Sequence, residues 1–160
     1  MYFITIYPRI DDTIELYERE MIMKQIIVMI VMSNLLLANV GIVKNIIGKV
    51  ELQRAQKVLL LHKGSAVNNG DIIMTKSKSS IGITFDDGTR LSLGENAIFV
   101  INKFKVDPAK KEYDVDLNLK KGKAVFSSGK VGKLAPESVK FRIPEGIIGI
   151  RGTKFAVEVK

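Results

Sequence analysis

From residue 48 onward apolar and polar positions alternate, and Gly, Asn and Asp break the alternation every eight to twelve residues or so, the rhythm of short strands joined by tight turns. Tyr113-Asp114-Val115-Asp116-Leu117-Asn118-Leu119 is the clearest case. A period of two puts Tyr113, Val115, Leu117 and Leu119 on one face and two carboxylates with an amide on the other, so one face is predicted buried and the other wet. Ile81-Gly82-Ile83-Thr84-Phe85, Thr89-Arg90-Leu91-Ser92-Leu93 and Phe155-Ala156-Val157-Glu158-Val159 read the same way. Between the first two lies Asp86-Asp87-Gly88, a predicted hairpin turn, because glycine reaches positive φ without steric cost. Further turns are predicted at Asn68-Asn69-Gly70-Asp71, at Asp107-Pro108-Ala109-Lys110-Lys111, and at Lys120-Lys121-Gly122-Lys123, the last joining Leu119 to Ala124-Val125-Phe126. No stretch after residue 48 sustains apolar residues at i, i+3, i+4 and i+7; Leu52 to Leu61 comes nearest, and its Val58-Leu59-Leu60-Leu61 run fits a core strand equally well. The prediction is an all-β fold: a single β-sandwich or roll of about nine to eleven short antiparallel strands and hairpins, filling residues 45–160 as one domain.

The segment before it has a different pattern. Residues 24–43 read KQIIVMIVMSNLLLANVGIV, in which a basic residue precedes an apolar run that ends on the small residue Ala38. That is the layout of a secretory signal. Residues 23–40 are accordingly read as a signal peptide cut after Ala38, with an uncleaved signal anchor as the alternative, since Leu36 stands where a small residue is usual. Ser33, Asn34 and Asn39 interrupt the run, leaving it short of the ~20 apolar residues a membrane span needs. Residues 1–22 are mixed and acidic, unlike a signal's first part, and Met21 and Met23 stand next to the segment. Translation is expected to start at one of these, Met23 for preference, and residues 1–22 are then an upstream extension.

Charge and composition narrow the chemistry. The chain has 25 Lys and Arg against 17 Asp and Glu. The first forty residues hold three basic and five acidic groups, so residues 41–160 carry 22 basic and 12 acidic groups, a net +10. With no Cys, thiol nucleophiles, disulfides and zinc-cysteine or iron–sulfur sites are excluded. His62 is the only histidine, and its setting in Leu61-His62-Lys63-Gly64 reads as a strand end rather than as part of a nucleophile–base pair. The carboxylate pairs Asp86-Asp87 and Asp114/Asp116 resemble a glycosidase pair only superficially, because such sites need an aromatic-lined groove and the chain has no Trp. No catalytic residue, metal ligand or cofactor is therefore expected. Ten lysines (103, 105, 110, 111, 120, 121, 123, 130, 133 and 140) fall in turns or at polar strand positions without interleaved aromatics. They read as a solvated surface that keeps strand edges from pairing, not as a nucleic-acid face.

Two glycine-bearing pieces remain. In Gly70-Asp71-Ile72-Ile73-Met74-Thr75 the carboxylate is expected to accept backbone N–H bonds within its turn. Gly146-Ile147-Ile148-Gly149-Ile150-Arg151-Gly152-Thr153-Lys154-Phe155 has neither the spacing nor the following helix of a phosphate loop. Its glycines are expected to permit a bulge or a close backbone approach, with Arg151 either paired to a carboxylate or exposed to a partner.

Taken in order, Gly70 to Thr75, then Phe85-Asp86-Asp87-Gly88-Thr89-Arg90-Leu91-Ser92-Leu93 with Asn96, then Leu119-Lys120-Lys121-Gly122-Lys123-Ala124, then Phe141-Arg142-Ile143-Pro144, then Gly149-Ile150-Arg151-Gly152-Thr153-Lys154-Phe155-Ala156-Val157, these pieces resemble the FecR-type (ferric-citrate regulator) domain over about residues 48–159. Ile143 departs from the pattern, where Thr commonly precedes the proline. The resemblance implies a periplasmic, β-rich domain without catalytic residues, which in signalling members relays the occupancy of an outer-membrane transporter to a sigma factor. Those members carry a cytoplasmic segment and a membrane helix ahead of the domain, whereas the segment here reads as a signal peptide. The expectation is an exported, periplasmic or cell-surface, non-enzymatic domain. It would bind an envelope protein, such as a transporter's signalling domain, through strand edges and loops, with Asp71, Gly88, Thr89, Arg151, Gly152 and Thr153 as candidate contact or motif residues. A surface module for anionic glycans or lipids, suggested by the +10 charge, is the alternative.

Overall fold

The computed structural model describes residue 19 and residues 21–25, 39–150 and 154–160. The chain divides into two units, Met1–Leu37 and Ala38–Lys160. In the first, residues 19 and 21–25 are helical and exposed, and the expected start sites Met21 and Met23 lie on that helix. The apolar run and the expected cleavage site at Ala38 lie outside the described residues, as do Arg151, Gly152 and Thr153. Among the described residues no helix is long and apolar enough to cross a membrane.

The second unit is all-β. Its described residues form twelve strands: β1 (Gly41–Ile47), β2 (Val50–Arg54), β3 (Lys57–Leu60), β4 (Ala66–Val67), β5 (Ile72–Thr75), β6 (Ser80–Phe85), β7 (Arg90–Leu93), β8 (Ile98–Asp107), β9 (Glu112–Ser127), β10 (Val139–Ile143), β11 (Gly146–Gly149) and β12 (Lys154–Val159). A one-turn helix α1 (Val131–Leu134) and a 3-10 turn (Pro136–Ser138) connect β9 to β10. They are too short for apolar periodicity to announce them. The two-residue β4 likewise takes the strand number past the expected nine to eleven.

All the strands belong to one curled sheet whose two halves share β9. One half runs β3-β2-β5-β8-β9-β10-β11, using β9 from Glu112 to Lys121. The other runs β4-β1-β6-β7-β9-β12, using β9 from Gly122 to Ser127. Pairing is antiparallel except between β9 and β10, which lie parallel and are connected through α1. The predicted turn at Lys120-Lys121-Gly122-Lys123 is thus no turn: the strand runs through it and changes partners there. Gly122 has φ +91°, and a Cβ on it would stand 2.6 Å from Ala97 Cα, so the residue that suggested a turn instead bends one long strand. Gly48, at φ +71° between β1 and β2, is another point where the chain passes from one half to the other.

Alternation fills the space between the halves. Val43, Ile83, Leu91 and Phe126 from one, with Leu52, Ile73, Phe99 and Leu117 from the other, are all buried in one core. Phe85 of β6 stacks on Phe104 of β8 at 4.2 Å between ring centroids. Phe141 of β10 meets Phe126 and Phe155 edge-on at 5.7 and 5.0 Å, the geometry in which the positive edge of one ring faces the negative face of another. The Tyr113–Leu119 reading holds: Val115, Leu117 and Leu119 are buried and Asp114, Asp116 and Asn118 half-exposed.

Candidate interaction site

One sequence reading changes sign in three dimensions. Val58, Leu59 and Leu60 fit a core strand by pattern, yet they form β3, the outermost strand of their sheet half, and are 60%, 45% and 50% exposed. Only the next residue, Leu61, is buried. Periodicity cannot tell a central strand from an edge, because that depends on which strands arrive on either side. Among the described residues β3 pairs only with β2, matching Leu60 to Glu51, Leu59 to Leu52 and Val58 to Gln53. Its far side therefore presents unpaired backbone N–H and C=O groups flanked by apolar side chains, with Lys57 as the strand's single charge. Edges are normally blunted by charge, proline or bulges. β3 has one lysine and neither of the others.

This hairpin is held from beneath. Its turn, Ala55-Gln56, forces Ala55 to φ +53°, a left-handed conformation costing about 1 kcal/mol for a residue with a Cβ. Arg54, the last residue of β2, clamps it down: Nε donates to Asp71 Oδ1 and Nη2 to Asp71 Oδ2, both at 2.7 Å, and Nη2 also reaches the Ala66 carbonyl at 3.2 Å. Asp71 Oδ2 in addition accepts the Asn68 amide at 2.7 Å, the turn bond expected of it. Its carboxylate is fully buried, so Asp71 acts as the anchor of the edge hairpin and presents nothing to a partner. Arg54 escapes a reading of the sequence because nothing links it to a carboxylate seventeen residues away. The Arg54-Ala55-Gln56-Lys57 turn between two apolar runs is its only local signal.

The turn at Gly88 follows the same plan at another corner. Gly88 sits at the hairpin apex with φ +86°, exposed, and open space where a Cβ would be. Thr89 is fully buried. Its amide and hydroxyl donate to Asp87 at 2.7 and 2.9 Å, and Asp87 also accepts the Val131 amide at the start of α1. The Gly129 amide donates to Thr89 Oγ1 at 2.9 Å, and a Cβ on Gly129 would stand 2.4 Å from Thr89 N. Of the described candidates, then, Asp71 and Thr89 are internal braces and Gly88 alone is at the surface. Gly149, expected at a close backbone approach, has open space around it.

The carboxylates of the Asp114/Asp116 strand face are both engaged by cations. Asp114 meets Lys103 at 2.6 Å, and Asp116 takes a forked contact from Arg142, with Nε at 2.9 Å and Nη2 at 2.8 Å, plus Asn102 Nδ2 at 2.9 Å. Hydrogen bonding from the Arg142 guanidinium, aided by Asn102, holds the Asp116 carboxyl below the usual carboxylate range against the opposing effect of burial. A depressed folded value means the pair's stabilisation is fully present above the unfolded pKa, near pH 4, and is lost as pH falls through the folded value. Asp116→Asn is therefore expected to cost up to about 1 kcal/mol near neutrality, a partly exposed pair being screened by solvent. The deficit should vanish as acid unfolding is followed below about pH 4; a deficit that persists there would show the loss to be steric.

The family model described as FecR protein matches residues 71–160, from the buried carboxylate of the hairpin anchor to the end of the chain. No curated protein and no solved structure matches. The edge strand β3 lies ahead of the matched stretch and is built into the same sheet.

Proposed function

The chain belongs to the FecR protein family, whose domains are signalling and regulatory and associated with the periplasm and envelope, and on that premise we propose that it is an exported, non-enzymatic envelope domain that acts by protein–protein contact. The observation that carries the reading is β3, which offers unpaired backbone and three exposed apolar side chains in one strand. Edge addition uses both: main-chain hydrogen bonds give affinity and alternate side chains give selectivity. The partner segment fitting this edge is extended, apolar at alternate positions, and acidic at its flanks to meet Lys57 and Lys63. A signalling domain of an outer-membrane transporter is the envelope protein to which the family points. The non-enzymatic part of the reading is supported by the carboxylates: Asp71, Asp87, Asp114 and Asp116 are each held in a structural contact, which leaves no free acid–base pair among these four.

In-cell photo-cross-linking from a probe at Val58 or Leu60, with Lys110 on a distant turn as control, tests it. The expected product is one envelope protein, joined through an extended segment, captured from β3 and not from Lys110. Val58→Lys with Leu60→Lys should abolish capture while leaving stability within about 0.5 kcal/mol, both positions being exposed. Capture that survives raised salt fits a packed protein interface. Capture from Lys110 as readily as from β3, or no protein product at all, would overturn the proposal.

A further inference from the structure

Beyond that reading, and independently of β3, we propose that the outer face of β7, β9 and β12 is a binding site for a phosphoryl group. The register builds it. Arg90 of β7 lies opposite Ser127 of β9, which lies opposite Lys154 of β12, forming one row across three strands. Two residues along, on the same face, the next row runs Ser92, Val125 and Ala156. The intervening Leu91, Leu93, Ala124 and Phe126 are buried, so the face carrying the two rows is the outward one.

Two long cationic side chains thus stand about 10 Å apart at their strands, with the Ser127 hydroxyl between them and Ser92 two residues along from Arg90 on the same face. The result is a concavity of about 280 Å³ lined by Arg90, Ser92, Val125, Ser127 and Lys154, with no carboxylate among them. Every described arginine of the β unit except one is committed: Arg54 to Asp71 and Arg142 to Asp116. Arg90 makes no ion pair among the described residues, and neither does Lys154. This separates the pair from the other surface cations, several of which are neutralised by a neighbouring strand, as Lys103 is by Asp114 and Lys105 by Glu112.

The donor set defines the ligand class. A guanidinium offers a planar fork of N–H groups, an ammonium three donors, and two serines one hydroxyl each. Donors arriving from opposite sides and from below suit the three terminal oxygens of a tetrahedral phosphoryl group better than the single plane of a carboxylate. Val125, 37% exposed between the two serines, supplies an apolar floor for whatever carries the phosphoryl group.

The test titrates the full-length chain, in non-ionic detergent, with inorganic phosphate while following backbone amides and arginine Nε–H by NMR at constant ionic strength. Saturable shifts confined to Arg90, Ser92, Val125, Ser127 and Lys154 are expected. Arg90→Gln with Lys154→Gln should weaken binding by about tenfold or more, the effect of losing at least one charge-assisted hydrogen bond. Lys120→Gln with Lys140→Gln, which removes equal charge elsewhere, should leave binding unchanged. A second arm measures co-sedimentation with phosphatidylcholine vesicles containing phosphatidic acid. Vesicle binding lost in the Arg90/Lys154 variant assigns the phosphoryl group to a lipid headgroup, whereas phosphate binding without vesicle binding assigns it to a free or soluble ester. Shifts spread over the exposed lysines, equal losses in the two double variants, or no binding in either arm would overturn the proposal.

Discussion

Gly122→Ala is expected to destabilise the protein by about 3 kcal/mol or more, and to do so where the same change at Gly88 costs only about 1 kcal/mol. Both glycines have positive φ, +91° and +86°, so both substitutions incur the left-handed penalty. They differ in what the new methyl group meets. At Gly88 there is nothing within 4 Å, whereas at Gly122 the methyl would lie 2.6 Å from Ala97 Cα and 2.7 Å from Ala97 Cβ. Ala97 cannot retreat cheaply. It is fully buried, its amide donates to Thr75 Oγ1 at 2.8 Å, its carbonyl accepts the Thr75 amide at 3.0 Å, and Thr75 Oγ1 itself donates to the Gly94 carbonyl at 2.6 Å. Relief must come from β9, where the strand passes from one half of the sheet to the other, so the strain falls on the corner that joins them. Urea unfolding of the two variants measures the difference. Equal losses at Gly88 and Gly122 would mean that the corner tolerates a methyl group and that β9 is not bent by this contact.

How far the fold is legible in the sequence depends on the range of each signal. Alternation is local, so the strands at Ile81–Phe85 and Tyr113–Leu119 and the Gly88 hairpin are readable from a few residues each. Gly122 is recognisable as a residue suited to positive φ, but a turn and a bend within a strand use the same backbone freedom. Only the partners of Gly122, Ala97 on one side and Val159 on the other, distinguish them. The same limit hides the edge. Val58-Leu59-Leu60 has core composition, and its exposure arises because no strand lies beyond β3 among the described residues. Side-chain partners are legible only where they lie within the same turn, as for Asp71 with the Asn68 amide and Asp87 with Thr89. Arg54, Gly129 and the Arg90–Ser127–Lys154 row are set by register between segments tens of residues apart along the chain or by long-range packing. Their one sequence trace is parity: Arg90 and Lys154 occupy the wet positions of alternating strands.

Asp71→Ala should cost about 3 kcal/mol, the lower end of what breaking a buried ion pair costs, since the Arg54 side chain keeps 32% of its surface in water. The loss is compound. Arg54 loses both 2.7 Å contacts, and the Asn68 amide, on a residue only 4% exposed, loses its acceptor. That turn has little to spare, because Asn68 Oδ1 is already buried without a partner among the described residues. Arg54→Leu alone should be at least as damaging, because it leaves a fully buried carboxylate without its cation. The double variant should then cost less than the sum of the two, by about 1 to 3 kcal/mol, the signature of direct coupling. Strict additivity would mean that the pair is not what stabilises the turn. The functional consequence separates this carboxylate from an ordinary stability residue. Arg54 is the base of the hairpin whose outer strand is β3, so releasing it frees the strained Ala55 turn and lets β3 fray before the rest of the sheet. Hydrogen exchange at the β2–β3 amides should therefore rise by more than the global loss explains, and cross-linking from Leu60 should fall under conditions where the core is still folded. Uniform acceleration of exchange across all strands would show instead that Asp71 supports the whole sheet and holds no special place beneath the edge.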